Sequence, residues 1–322
     1  VHQLDEYCGN DFVYVYSLAG PEWFRSDEPL LERAQEFGLI RIDKEANLIY
    51  DQFGVAHDRT SELPWFHVHP LEDASQAKHH KFPDPTAEGI TFQVEQAVAK
   101  YGSEYATLFG QHLSLFERCW MLRGYNNFMM DLASDPALAD YLLDGVTDYQ
   151  VEVARRFVAA GIACAQVGDD YGTQQRLAMS PKTWRRFFKP RLARIYQVYK
   201  DAGVVLMQHS CGCVTQILDD LVEIGLEVLH PVQSRAMDIR ELSSRWGKDL
   251  GFFGGIDNQE LLPYGTPEQI DAAVCEAVEV LGRYGKYVIA PSQHILSDTS
   301  IENIDALVKA AFHYGQRSSS QA

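Results

Sequence analysis

The chain has 322 residues, 46% of them hydrophobic and 23% charged, and its 45 Asp and Glu outnumber 28 Lys and Arg to give a net charge of −17. With no Lys/Arg-rich run, that balance excludes nucleic acid and anionic membrane as expected partners, and the apolar content excludes a disordered chain. No window approaches the roughly 18 consecutive apolar residues of a membrane span, and the start Val1-His2-Gln3-Leu4-Asp5-Glu6 has no signal pattern, so a cytoplasmic protein is expected. A first residue other than Met predicts that the numbering begins inside a longer chain.

The first strand candidate is Phe12–Ser17. The region 42–85, polar and punctuated by Pro and Gly, reads as an insertion over the mouth of a barrel, with a small hairpin near Ile42–Asp51. Ala106–Gly110 is a second strand, and Phe116–Asp131, carrying Phe116, Trp120, Met121, Tyr125, Phe128, Met129 and Met130, reads as a core helix. From Pro136 to about Ala160 the apolar period at Leu138, Leu142, Val146, Tyr149, Val153 and Phe157 predicts a helix that Asp135 caps. Short apolar runs then alternate with amphipathic segments. Ala163–Val167, Val204–Gln208, Val228–Val232, Leu250–Phe253 and Tyr287–Ala290 are continuous rather than alternating, as parallel strands covered on both faces are. Ser180-Pro181, the capping box Thr266-Pro267-Glu268-Gln269 and Thr299…Glu302 open helices between and after them.

These seven strand candidates predict an α/β protein with a single TIM (β/α)8-type barrel over residues 1–316, its eighth strand supplied by a segment without a clear pattern or by residues preceding Val1. A doubly wound open sheet is disfavoured because no G-x-G-x-x-G or P-loop follows any strand. Residues 317–322 read as a disordered tail.

Functional residues of such a fold belong just past the C-terminal ends of strands. Those positions hold Asp169-Asp170-Tyr171-Gly172, His209-Ser210-Cys211-Gly212-Cys213, His230-Pro231-Val232-Gln233, Gly254-Gly255-Ile256-Asp257 and Pro291-Ser292-Gln293-His294. The i, i+2 spacing of His209 and Cys211 in extended chain points an imidazole and a thiol to one side, where they can share a metal ion, zinc being the natural candidate. The third ligand stays open among Cys213, His294, Gln293, Asp170 and Asp257. Asp169 and Asp170 are candidates for acid/base work or for accepting a substrate donor. His67, His69, His79 and His80 lack partners in ligand spacing and read as loop and surface histidines; Cys119, Cys164 and Cys275 read as small reduced hydrophobes.

In order and spacing these strings resemble the uroporphyrinogen decarboxylase superfamily, in particular its branch of corrinoid-dependent methyltransferases. They are Asp169-Asp170-Tyr171-Gly172 with Ser180-Pro181 and Lys189-Pro190, Gln208-His209-Ser210-Cys211-Gly212, Asp220-Leu221-Val222-Glu223-Ile224-Gly225, Pro231-Val232-Gln233, Gly254-Gly255-Ile256-Asp257, and Ala290-Pro291-Ser292 followed by Glu302-Asn303. The resemblance implies a TIM barrel and two chemistries. The decarboxylases carry an N-terminal arginine-rich segment that binds substrate carboxylates, whereas Arg25, Arg33 and Arg41 stand isolated here. The methyltransferases hold zinc with His-x-Cys and a later Cys; His209 and Cys211 match, but Gln293 stands where the later Cys is expected. His294 beside it, or an acidic group, then completes a harder site suited to an oxygen ligand. The resemblance thus implies demethylation of a small O-methyl compound, with zinc at His209, Cys211 and His294, with Asp170 or Asp257 orienting substrate or supplying a proton, and with Gln233, Tyr171 and Gln293 touching substrate. No corrinoid-binding Asp-x-His-x-x-Gly string occurs, so the cobalamin is expected on a separate corrinoid protein. The alternatives are a carboxy-lyase of the parent type and a non-catalytic barrel.

Overall fold

The computed structural model describes residues 10–16, 28–58 and 66–319. Arg25 and the first nine residues lie outside them, as do the last three of the expected tail; the final helix, Ile301–Ser319, continues past residue 316. The strands in chain order are β1 (Phe12–Tyr16), β2 (Ile40–Asp43), β3 (Leu48–Asp51), β4 (Ala56–Asp58), β5 (Phe66–Val68), β6 (Ala106–Gln111), β7 (Cys164–Gly168), β8 (Val205–His209), β9 (Val228–Val232), β10 (Gly251–Ile256) and β11 (Tyr287–Pro291). All seven strands expected from apolar runs are present and belong to a seven-stranded sheet in the order β1-β6-β7-β8-β9-β10-β11. Its pairs β1·β6, β6·β7, β8·β9, β9·β10 and β10·β11 are parallel.

An eighth parallel strand is not found among the described residues. Between β1 and β6 the chain instead forms a separate four-stranded antiparallel sheet, β2-β3-β4-β5. The anticipated hairpin is its first pair, with Ile40 opposite Asp51 and Asp43 opposite Leu48. A parallel strand needs a crossover of a dozen or more residues, and the β2–β3 and β3–β4 connections are too short for one.

Among the described residues the chain divides into two compact units, Asn10–Asp169 with Lys182–Leu206, and Asp170–Pro181 with Met207 onward. In the first, helix Pro136–Ala159 buries the expected stripe from Leu138 to Phe157, and Phe157 stacks on Phe109 of β6 at 3.6 Å between ring centroids. Asp135 caps that helix as expected, accepting from the Leu138 N–H. Arg191, 9% exposed, ties helix Lys189–Ala202 to it through Asp140 and Asp144. The single helix expected over Phe116–Asp131 is two, Phe116–Arg123 and Tyr125–Ser134, broken at Gly124, where φ is +81°. In the second unit the Thr266 capping box opens helix Pro267–Leu281 as expected. Buried Asn303 donates to the Leu262 and Gly265 carbonyls, fixing the start of helix Ile301–Ser319. No helix among the described residues is long and apolar enough to cross a membrane.

Candidate metal centre

In the second unit, the loop after β7 and the loop after β8 touch backbone to backbone. A Cβ on Gly212, where φ is +78°, would lie 2.5 Å from the Gly172 carbonyl carbon, and one on Gly172 would lie 2.5 Å from the Cys211 oxygen. Two glycines therefore permit an approach that side chains would block. Cys213 N–H donates to the Thr173 carbonyl at 2.8 Å and Tyr171 N–H to Ser210 Oγ at 2.9 Å, which fixes the loops together.

This contact brings Asp170 to His209 and Cys211. Asp170 Oδ1 lies 3.4 Å from His209 Nε2 and accepts from the Cys211 N–H at 2.8 Å. Cys211 Sγ lies 3.8 Å from the same His209 nitrogen. Ligand atoms of the three residues all fall within 4.8 Å of one another. Zinc bonds of about 2.0–2.3 Å in a tetrahedron give ligand separations of about 3.3–3.8 Å, so the two shorter edges have the dimensions of a zinc site. The donor set, imidazole, thiolate and carboxylate, is likewise one that zinc takes. Burial opposes an imidazolium at His209, yet the Asp170 carboxylate and the Cys211 sulfur outweigh it and raise the His209 pKa well above the ordinary imidazole value.

Around this group, Gln293 donates an amide N–H to Cys211 Sγ at 3.1 Å. Gln233 Oε1 accepts from the Gly212 N–H at 2.7 Å, bracing the turn that carries Cys211. His230 Nδ1 lies 2.9 Å from His209 Nδ1, a contact that sequence reading did not single out; the register of β8 on β9 is its signal.

Other expected site residues are placed differently. His294 is not in the group, its backbone N–H donating instead to Gln293 Oε1 at 3.1 Å, and the glycine-mediated loop contact brings Asp170 beside His209 and Cys211. Asp169 is fully buried in the first unit, where its carboxylate accepts the Leu115 and Glu117 N–H groups at 2.8 and 2.9 Å and so caps helix Phe116–Arg123. Asp257 accepts from the N–H groups of Gln259, Glu260 and Leu261 and lies 3.8 Å from Arg235, which makes it the cap of the short helix Leu261–Tyr264. The Tyr171 side chain is fully buried. Cys213 faces Thr215 at 3.4 Å.

Fold and site together define an α/β protein whose candidate chemistry sits at the C-terminal ends of parallel strands. The chain belongs to the uroporphyrinogen decarboxylase (URO-D) family, whose model matches residues 49–314. Over 177 residues it is 30% identical to the methylcobamide:CoM methyltransferase MtaA of Methanosarcina barkeri, covering 55% of this chain and 49% of that protein. It is 24% identical over 259 residues to the uroporphyrinogen decarboxylase of Christiangramia forsetii, 78% of this chain and 72% of that one. The chain spans about half the length of the curated methyltransferases it matches. A solved methyltransferase from Methanosarcina mazei shares the fold over 97% of each chain, with a TM-score of 0.70 at 20% identity.

Proposed function

We propose that the protein transfers a methyl group from a small O-methylated substrate to the cobalt of a separate corrinoid protein in the cytoplasm, with one zinc ion held by Asp170, His209 and Cys211. The observation that carries this is the convergence of those three side chains within 4.8 Å. Likeness to a methylcobamide:CoM methyltransferase supports the reaction class, and the seven-stranded parallel sheet supports a (β/α)8-type barrel with an insertion at 42–85.

Zinc bound there supplies Lewis-acid polarisation of the substrate oxygen. With one thiolate and one carboxylate the donor set is harder than a two-thiolate site, which favours an oxygen ligand over sulfur. Gln293 draws charge from the Cys211 sulfur through its N–H, and Gln233 keeps the Cys211 turn in place. The methyl C–O bond breaks as the cobalt(I) electron pair forms the Co–CH3 bond; the oxygen keeps the C–O pair and takes a proton from water. Asp257, engaged as a helix cap, is left out of this step.

The test supplies zinc-loaded protein, reduced corrinoid protein and a panel of simple and aromatic methyl ethers, and follows methylcobalamin by absorbance. Formation with at least one ether, lost together with bound zinc in C211S, is the expected result. Failure with every ether, or zinc retained in C211S, overturns the proposal; carbon dioxide release from a porphyrinogen without metal would instead favour the carboxy-lyase.

A further inference from the structure

We infer that His230, outside the ligand group, is a positioning residue that fixes which nitrogen of His209 faces the metal; this rests on the zinc site proposed above. The parallel register of β8 and β9 sets His209 opposite His230. Side chains at paired positions project from the same face of a sheet, and here the two rings lie 5.0 Å apart between centroids, with Nδ1 of one 2.9 Å from Nδ1 of the other.

Two ring nitrogens that close share one hydrogen: one carries it and the other offers its lone pair. The remaining nitrogen of His209, Nε2, is the one beside Asp170 Oδ1 and Cys211 Sγ, at 3.4 and 3.8 Å. A nitrogen bound to metal carries no hydrogen, so a neutral His209 ligating through Nε2 holds its hydrogen on Nδ1. His230 Nδ1 is then the acceptor. Metal-bound histidines commonly donate their second N–H to a carboxylate or a carbonyl, and here an imidazole takes that place. Its own position is set on two sides: the His230 carbonyl accepts from the Ser210 N–H at 2.9 Å, and the His230 ring packs edge-on with Phe253 at 4.6 Å between centroids. The strand that carries Cys211 toward the metal and the one that orients His209 are thus neighbours in register.

The experiment measures zinc dissociation constants by chelator competition for wild type, H230L and H230Q, with 15N ring shifts of His209 in zinc-loaded wild type and thermal melting of the zinc-free proteins. H230L is expected to bind zinc about 10–100-fold more weakly. H230Q, whose side-chain oxygen can accept the Nδ1 hydrogen, is expected to recover most of that loss, and the ring shifts to show zinc on Nε2 with hydrogen on Nδ1. Affinity unchanged in H230L, or zinc on Nδ1 of His209, overturns the inference while leaving the metal site intact. Should H230L fail to fold, the ring shifts and H230Q decide. Wild type that binds no zinc overturns both the site and the inference.

Discussion

Both ring nitrogens of His57 are buried without a hydrogen-bond partner, and the ring packs edge-on against Phe66 at 4.8 Å between centroids. Burial, opposed by the Asp51 carboxylate and reinforced by the Arg118 guanidinium, lowers its pKa to about 4. Between that value and the ordinary 6.5 the unfolded chain binds a proton that the folded one refuses. The His57 contribution is therefore intact above pH 6.5 and is lost as pH falls toward 4, by about 2 kcal/mol at pH 5. Urea titrations of zinc-free wild type and H57L at pH 7 and pH 5 should show a smaller acid loss in H57L; equal losses would remove His57 from the account. At this scale the sequence displayed ligand types better than their arrangement. His209 and Cys211 were legible because spacing alone puts them on one side of an extended segment. Asp169, Asp170 and Asp257 look alike as carboxylates after strands, yet Asp169 and Asp257 each accept two or more backbone N–H groups at a helix start and only Asp170 lies with His209 and Cys211. Which amides surround a carboxylate depends on loop paths that no local pattern encodes.

Elements are more legible in the sequence than contacts, and for a physical reason. A parallel strand buried on both faces must be a continuous apolar run, so β7 to β11 announced themselves, as did the helix caps at Asp135 and Thr266. The short strands of the antiparallel sheet, such as Phe66–Val68, carry too little pattern to stand out beyond its first hairpin. Replacing Thr266 with Ala removes the side-chain acceptor for the Gln269 N–H and should cost about 1 kcal/mol in urea unfolding while leaving zinc affinity unchanged. G212A acts elsewhere. Its Cβ meets the Gly172 backbone at a positive φ, so it should cost about 1–3 kcal/mol and weaken zinc binding at least tenfold, because Cys211 and Asp170 move with the two loops. Zinc affinity preserved in a folded G212A protein would show that the loop contact does not set the ligands.

For the whole molecule, the net charge of −17 suits a neutral substrate better than a polyanion, which supports the proposed methyl ether over a porphyrinogen. A ligand that binds only the folded state stabilises it by about 2.7 kcal/mol at a hundredfold excess over its dissociation constant. Zinc should raise the melting temperature accordingly, and hydrogen exchange should locate the gain in residues 170–181 and 207–319, the unit that holds all three proposed ligands, with Asn10–Asp169 little changed. Protection spread evenly over the chain would contradict that localisation.

The segment Asp170–Pro181 belongs to the second unit although the chain next enters Lys182–Leu206 of the first before returning. An ion gripped by Asp170 and His209 would therefore be a cross-link as well as a reagent, closing the whole intervening loop as a disulfide would. An unfolded chain would lose about 4 kcal/mol of freedom in closing a loop of that length, so the ion binds the folded chain, in which the loop is already closed. Stripping the ion would then loosen the return path of the backbone as well as silence the chemistry, so chelation would register in protease susceptibility near residue 181 before any substrate is added.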